Sequence, residues 1–468
     1  MEFEVLENSE ASRLYELDRT HWLHPQGDLD APAGSVPQLI FAGGRGATLT
    51  DVHGREYIDG MASLWNVNVG YGRSVLADAA AAQMKDLAYF SGYVGSSSMP
   101  AITLAGKLIE LAGDMQGIFF TCGGAEANES AFKTARFYWK SQGKPDKIKV
   151  IARQNAYHGV TLQAMSATGM AAYWKMFEPR VPGFVHIPTC YPYRTVDAKP
   201  GETAGQTAAR LLEEAILREG PDTVAAFIAE PIHGGGGVLY PTDDYFPLVR
   251  EICNRHHVLF IADEVITGFC RTGKWFATTH WNVKPDIRSF AKGVTSGYLP
   301  LGGIMVSKAI KDAIDGVKPE DRWMHAYTYS GHPTCCAVGI KNIEIMERER
   351  LNDNAAKMGD RLFAGLKDAF KDHPHAGDIR GGKGLLAAVE LVEDRATKKN
   401  FAVDRKVAAR IQAEMMKRGL VTRTRPSPGP HPAPGDSIYF APPLVVTAAE
   451  IDRITAAARD SVKAVLGV

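Results

Sequence analysis

VLFIADEVITGFCRTG, residues 258–273, is the stretch from which the fold follows. Five apolar residues run directly into Asp263 and Glu264. A strand that is apolar at every position has both faces covered, since a strand with one wet face alternates. The acid pair therefore stands at the carboxyl end of a buried strand, the edge at which open α/β sheets bind ligands. A carboxylate buried there must find a cation or a hydrogen-bond donor. A pair of metal-binding acids or a structural salt bridge is the competing reading, but no His/Asp set at metal spacing surrounds the pair.

Outward from this stretch the same kind of run recurs. GIFFT (117–121), KIKVIA (147–152), FVHIP (184–188), TVAAFIAEP (223–231) and LGGIMVS (301–307) are short, rich in Val, Ile and Phe, and nearly continuous. Helix-like segments separate them, such as 126–141 and 207–219, the latter stopping at Gly220-Pro221. This alternation predicts a mostly parallel sheet with helices on both faces, an α/β fold. After Pro333 the character changes. Helices are predicted over 334–348, 355–371, 404–418 and 448–466, with short strands at 378–380 and 385–391 and two more before the last helix. That is a smaller α+β domain. The strand-like ATLTD and EYID around His53-Gly54 have no sheet of their own and are expected to pack beside it. The predicted organisation is an N-terminal segment 1–64, a large domain 65–333 and a small domain 334–468. PSPGPHPAPGDS, residues 426–437, is read as a proline-rich excursion, neither helix nor central strand.

The chain has 468 residues, room for two or three domains, with 45% hydrophobic and 23% charged side chains, which excludes disorder, collagen and a coiled-coil rod. Its 53 basic and 53 acidic residues cancel, so bulk charge argues against nucleic acid or an anionic membrane as partner. Six scattered cysteines make no disulfide framework and no CxxC pair. The acidic opening MEFEVLENSE is no signal peptide, and no apolar run reaches the ~18 residues that span a bilayer. A cytoplasmic protein is expected.

Two further stretches carry chemistry. In TCGGAEANESAFKTAR (121–136), a strand ends, two glycines follow and a helix opens, so free N–H groups face an anion. Alone, this is as easily a plain loop, being neither a GxGxxG nor a P-loop motif. In SFAKGVTSG (289–297), Lys292 follows an apolar patch and is flanked by small residues. Most lysines are solvated, but one at the end of a core strand loses hydration, which lowers its pKa toward the nucleophilic form. An anion cradle, a buried carboxylate and an activated lysine together fit pyridoxal phosphate.

The chain resembles the class III (omega) aminotransferases, pyridoxal-phosphate enzymes of fold type I. The motifs that carry the likeness run in order from ATLTDVHGREYIDGMASLWN (47–66) through YHGVT, AEP, DEVITGFCRTG, PDIRSFAKG and TYSGHP to APPLVVT (441–447). The resemblance implies that Lys292 is the cofactor-bearing lysine and that Asp263 holds the pyridine nitrogen. It sets Val265 and Tyr157 against the two ring faces, Gly124 and Ala125 at the phosphate, and Glu230 at the floor of the site. Thr328 would reach the phosphate of a neighbouring subunit, which implies a homodimer with shared sites, or a tetramer. Trp65, Tyr93 and Tyr157 would line the substrate pocket, although core aromatics are a competing reading of the first two. Arg423 in GLVTRTR (419–425) would bind the substrate carboxylate, with Arg425 as the alternative, since strand alternation points both the same way.

The implied function is transfer of an amino group from an omega-amino acid or amine to pyruvate or another 2-oxo acid, by a ping-pong course with Lys292 as proton shuttle. A taurine- or GABA/diamine-specific enzyme, or an aminomutase or decarboxylase on the same fold, is the alternative. A nicotinamide dehydrogenase lacks its GxGxxG here. Two departures from the family pattern stand out. Ala125 replaces a Ser or Thr, and Arg288 occupies a place where an apolar or small residue is expected. His21 and His24 in HWLH lack further metal ligands and read as part of an entrance segment ending at Pro25.

Overall fold

The computed structural model describes residues 8–25, 39–93, 95–429 and 433–467. Its largest sheet holds seven strands, in the order Gly117–Thr121, Gly302–Val306, Ile287–Phe290, Leu259–Asp263, Val224–Ala229, Lys149–Arg153, Phe184–Ile187. Six point one way; Gly302–Val306 alone runs against its neighbours. The continuous apolar runs are the reason both faces can be covered. In Val224–Ala229 and Leu259–Asp263 every residue is buried. Ile228 and Ile261 pack with Phe132 and Ala135 of the helix Gly124–Ser141. The intervening Phe227 and Phe260 pack on the other face with Leu212 and Ile216 of Ala204–Glu219. Each such large apolar side chain contributes about 1.5–3 kcal/mol by leaving water.

Two four-stranded sheets complete the fold. Phe41–Arg45, Thr48–Asp51 and Glu56–Asp59 form a meander whose last strand pairs in parallel with Leu420–Val421, Ile58 opposite Leu420. The antiparallel sheet Ala376–Arg380, Ala387–Leu391, Asp436–Phe440, Arg423–Arg425 packs against the helices Leu351–Phe370 and Val407–Lys417, on which Ala448–Leu466 lies, whereas Pro333–Arg348 packs with Ser74–Leu87 and Met99–Ala112. Segment 420–425 thus belongs to both sheets, and between its halves the buried Thr422 donates its hydroxyl to the Tyr439 carbonyl. No helix among the described residues is long and apolar enough to cross a membrane.

Several boundaries differ from expectation for identifiable reasons. The helix predicted over 207–219 begins at Ala204, because Thr203 and Gln206 form a capping box. The helix predicted over 404–418 is a short 3₁₀ turn, Val403–Arg405, and then Val407–Lys417, with Lys406 between them at φ 47°. The proline-rich excursion ends at Gly435 rather than Ser437. Asp436 and Ser437 open a strand in the middle of its sheet, and residues 430–432 of the excursion lie outside the described ones, as do 1–7 and 26–38 of the N-terminal segment.

The strand Ile287–Phe290 was absent from the predicted runs because Arg288 interrupts its apolar pattern. Its guanidinium is buried, donates to both carboxylate oxygens of Asp114 at 2.9 and 3.0 Å, reaches Thr278 Oγ1 at 3.1 Å and lies 4.5 Å from the Phe276 ring centroid. Arg288 is therefore a tie between this strand and the chain entering Gly117–Thr121. Removing one member of a buried ion pair strands the other charge, at a cost of about 3–5 kcal/mol. Asp114→Ala should lower the midpoint of urea unfolding accordingly, and the pair Asp114→Leu with Arg288→Met should lower it much less. Equal losses from the single and the paired change would contradict the assignment.

Candidate functional site

Five strand ends converge on one cleft. Asp263 ends Leu259–Asp263, Glu230 follows Val224–Ala229, Tyr157 and His158 follow Lys149–Arg153, Gly123-Gly124 follow Gly117–Thr121, and Lys292 follows Ile287–Phe290. The parallel run of the strands brings these residues together at the carboxyl edge, as open α/β sheets require.

Asp263 and Glu264 part company. Consecutive strand residues face opposite ways. Glu264 is wholly buried and accepts from the N–H groups of Ala277 (2.7 Å) and Thr278 (3.0 Å) and from the hydroxyls of Thr267 and Thr278, a structural role. Asp263 turns into the cleft. Its Oδ2 accepts from His158 Nδ1 at 2.7 Å and Asn128 Nδ2 at 2.8 Å, and its Oδ1 from the Val265 N–H at 3.1 Å. Burial would lift its carboxyl, but the His158 hydrogen bond and charge, with Asn128 and the Val265 N–H, hold it below the ordinary value. Asp263 is thus an anion, and Oδ1 keeps room to accept one more donor.

Lys292 lies in a 3₁₀ turn at φ 42°. Desolvation brings its amine down to about 8; Asp263 and Glu230 oppose the shift and Arg423 adds to it. Burial raises the Glu230 carboxyl, which accepts the N–H groups of Tyr157 at 3.2 Å and Gly234 at 2.8 Å. Tyr157 is half-buried, packs 5.4 Å from the Tyr173 ring, and its hydroxyl is pushed up to about 12 by burial.

The helix Gly124–Ser141 starts without a side-chain cap, so the N–H groups of its first turn are open to an anion. A Cβ on Gly123 would meet nothing within 4 Å, whereas one on Gly124 would stand 2.9 Å from Val265 Cγ1. Val265 and the uncapped helix start are therefore neighbours. Ala125 has Gly159 against it, where a Cβ would come 2.6 Å from the alanine methyl. An uncapped helix start, an anion with a vacant acceptor position and a half-desolvated amine are what pyridoxal phosphate needs for its phosphate, ring nitrogen and aldehyde, and the residues fit it.

Trp65 is buried at the cleft. Lys292 Nζ lies 5.7 Å and the Arg423 guanidinium 5.9 Å from its ring, and Tyr439 packs at 6.4 Å. The two arginines that strand alternation left equal differ in their partners. Arg425 donates to the Gly236 carbonyl and, at 3.2 Å, to Asn155 Oδ1. Arg423 is exposed and has no hydrogen bond or ion pair among the described residues.

Tyr93 and Thr328 are not gathered into this group. Both are exposed, and among the described residues no hydrogen bond or ring contact ties either to Lys292, Asp263 or Trp65. The Thr328 carbonyl accepts from Tyr89 instead. His24 is occupied by Asp18 at 2.8 Å. Sequence reasoning missed His158 and Asn128 as partners of Asp263. The signals were present, a His beside Tyr157 and an Asn on the buried stripe of a helix, but only tertiary structure shows that both point at one carboxylate.

The sequence profile described as "Aminotransferase class-III" matches residues 31–462. The chain is 39% identical to the diaminobutyrate–2-oxoglutarate transaminase of Halomonas elongata, over 95% of this chain and 94% of that one. It is 37% identical to the putrescine–pyruvate aminotransferase of Pseudomonas aeruginosa, over 97% and 96%. The crystal structure of a thermostable (S)-enantioselective omega-transaminase from Thermomicrobium roseum superposes with a TM-score of 0.92 at 42% identity, covering 97% of this chain and 99% of that one. With this agreement along nearly its full length, the chain belongs to the class III aminotransferases, pyridoxal-phosphate enzymes of fold type I.

Proposed function

We propose that this aminotransferase takes its amino group from an omega-amino acid or amine and delivers it to pyruvate, in two half-reactions at one site. The observation that carries this reading is the environment of Arg423, a guanidinium with no hydrogen bond or ion pair among the described residues that lies over Trp65 within the field of Lys292. A free guanidinium grips a carboxylate with two parallel hydrogen bonds. With no hydrogen bond or ion pair to break among the described residues, it can also swing aside when a donor brings an apolar group. The putrescine–pyruvate relative supports an amine donor with this acceptor. The diaminobutyrate–2-oxoglutarate relative supports a second reading, a diamine donor with the longer diacid.

The bound pyridoxal phosphate supplies an electron-withdrawing ring that holds the electron pair released at the donor carbon. Asp263, kept charged by His158 and Asn128, accepts the hydrogen bond of the ring N–H. Val265 and Tyr157 would flank the ring, the N–H groups of Gly124 and Ala125 would hold the phosphate, and Glu230 would close the floor. The neutral Nζ of Lys292 would take the proton from the donor carbon and return it to the carbon on the far side of the transferred nitrogen.

Thr328 serves the phosphate of a second subunit in a homodimer. The support is its setting. Tyr89 binds its carbonyl and stacks edge-on against Tyr329 at 5.8 Å, and Met84, Phe90, Met99 and Ile102 nearby in sequence are exposed. Exposed apolar residues in such number mark an interface.

Donor amine alone should release a single equivalent of carbonyl product per site and stop, and pyruvate should then yield alanine and restore the capacity. Continuous turnover without a 2-oxo acid would refute transamination. Lys292→Ala should lower turnover by at least about 10²–10⁴-fold. In the wild-type apoenzyme, only the neutral amine attacks the cofactor aldehyde. Covalent loading should therefore be slow below about pH 8, rise through it and level off above it. A rate still climbing toward about 10.4, the ordinary lysine value, would mean the amine is not shifted.

Arg423→Ala should raise the KM for pyruvate by about tenfold or more, the loss expected for a charged hydrogen-bonded pair, and spare donors without an acid group. Arg425→Ala should leave that KM nearly unchanged and lower stability instead; the reverse pattern would move the carboxylate site to Arg425. For the dimer, sedimentation and cofactor retention on dilution are the measurements. Monomers with full activity and full cofactor would refute the shared site.

A further inference from the structure

The segment that delivers Trp65 is bent in a way side chains resist. Ala62, Ser63 and Trp65 have φ of 44°, 58° and 58°, and Ser63 adds ψ −88°. Left-handed backbone at several non-glycine residues in one short stretch persists only where the surroundings over-determine it. The indole does not hold itself there, since Trp65 Nε1 is buried without a hydrogen-bond partner among the described residues. Besides its packing against Tyr439, what fixes the ring is the path of its backbone.

That path is held from one carboxylate. Asp59, buried at the end of its strand, accepts the Met61 N–H on Oδ1 at 2.9 Å. Its Oδ2 accepts the Ser63 N–H and the Tyr71 hydroxyl, each at 2.6 Å. The buried Arg271 guanidinium supplies an opposing charge, and its own hydrogen bonds fix Asn68 (2.7 Å to Oδ1) and the Pro442 carbonyl. Downstream, Asn66 and Asn68 lie on the turn that carries Lys292: a Cβ on Gly293 would meet Asn68 Nδ2 at 2.5 Å, and one on Gly297 would meet Asn66 Nδ2 at 2.7 Å. The segment is thus pinned on both sides of Trp65, by Asp59 before it and by the Lys292 turn after it.

We propose that Asp59 is a positioning residue for donor selectivity, its carboxylate holding residues 61–65 in their bent path so that the Trp65 ring stands as a fixed wall between Lys292 and Arg423. The inference rests on the reading of Trp65 as a wall of the substrate pocket. Releasing the bend lets the ring move away from Lys292, which widens the pocket for a bulky donor and takes contact from a small one.

The test uses holoenzyme and pyruvate at saturation, and compares kcat/KM for a bulky arylalkylamine with that for a small aliphatic amine. Asp59→Asn turns an accepting oxygen into a donor against a donor and should shift this ratio toward the bulky amine by about tenfold, mainly through KM, while the spectrum of the bound cofactor stays unchanged. Tyr71→Phe, which leaves both backbone hydrogen bonds in place, should shift it in the same direction by less, and carries the test if Asp59→Asn does not fold. On a Trp65→Ala background neither change should alter the ratio further. Equal effects on both donors, or the same shift with Trp65 absent, would overturn the positioning role alone. A Trp65→Ala enzyme with the wild-type ratio would overturn the pocket reading and this inference with it.

Discussion

The Asp263 carboxylate is buried with no lysine or arginine hydrogen-bonded to it among the described residues, and the architecture of the site follows from that constraint. A bare buried anion is costly, so donors must be brought to it. His158 comes from the loop after one strand, Asn128 from the second turn of a helix, and the Val265 N–H from the chain directly beyond. All three meet one side chain only if the strands are parallel, in register and of matched length. Asn128 also donates to the His158 carbonyl, so the two donors hold each other as well as the anion. The same ring of donors leaves one acceptor position facing the cleft, the position to which the proposed reading assigns the ring N–H.

Lys292 is the counterpart. Its amine is depressed because the cleft removes water, yet Asp263 and Glu230 limit the depression. A lysine in a fully apolar pocket would be neutral far below physiological pH. One beside bare carboxylates would remain an ammonium. Here the opposing effects leave an amine that changes charge close to neutrality, which suits a group that must accept and return a proton within one turnover. The donors that occupy Asp263 thus serve Lys292 as well, by binding up part of the negative charge it faces.

Much of this was legible from residue order. An unbroken apolar strand ending in Asp263, an apolar patch before Lys292 and a glycine pair before a helix identify a parallel sheet and its working edge. The terminal helix 448–466 was read to the residue because Thr447 and the apolar stripe define it without tertiary help. What escaped was what depends on contacts distant in sequence. Arg288 broke the pattern of its strand because its partner, Asp114, lies 174 residues away. The different states of Arg423 and Arg425 were hidden because both occupy the same face. Only the glycine loop beyond Glu230, whose carbonyl at Gly236 engages Arg425, distinguishes them. Asp436 and Ser437 were misplaced because a dense run of prolines masks the start of an interior strand.

Residues 420–425 take part in two sheets, with Thr422 fastened between them. The position of Arg423 is consequently triangulated from behind, by the N-terminal meander and by Asp436–Phe440, and owes nothing to the loop that follows. The loop has anchors of its own, since Asn400 donates to Ser427 Oγ and to the Gly429 and Ala433 carbonyls and the Gly435 N–H donates to Glu390, so changes between those anchors can be absorbed without moving the guanidinium. The chain has separated the stretch that is free to diversify from the residue that must stay put.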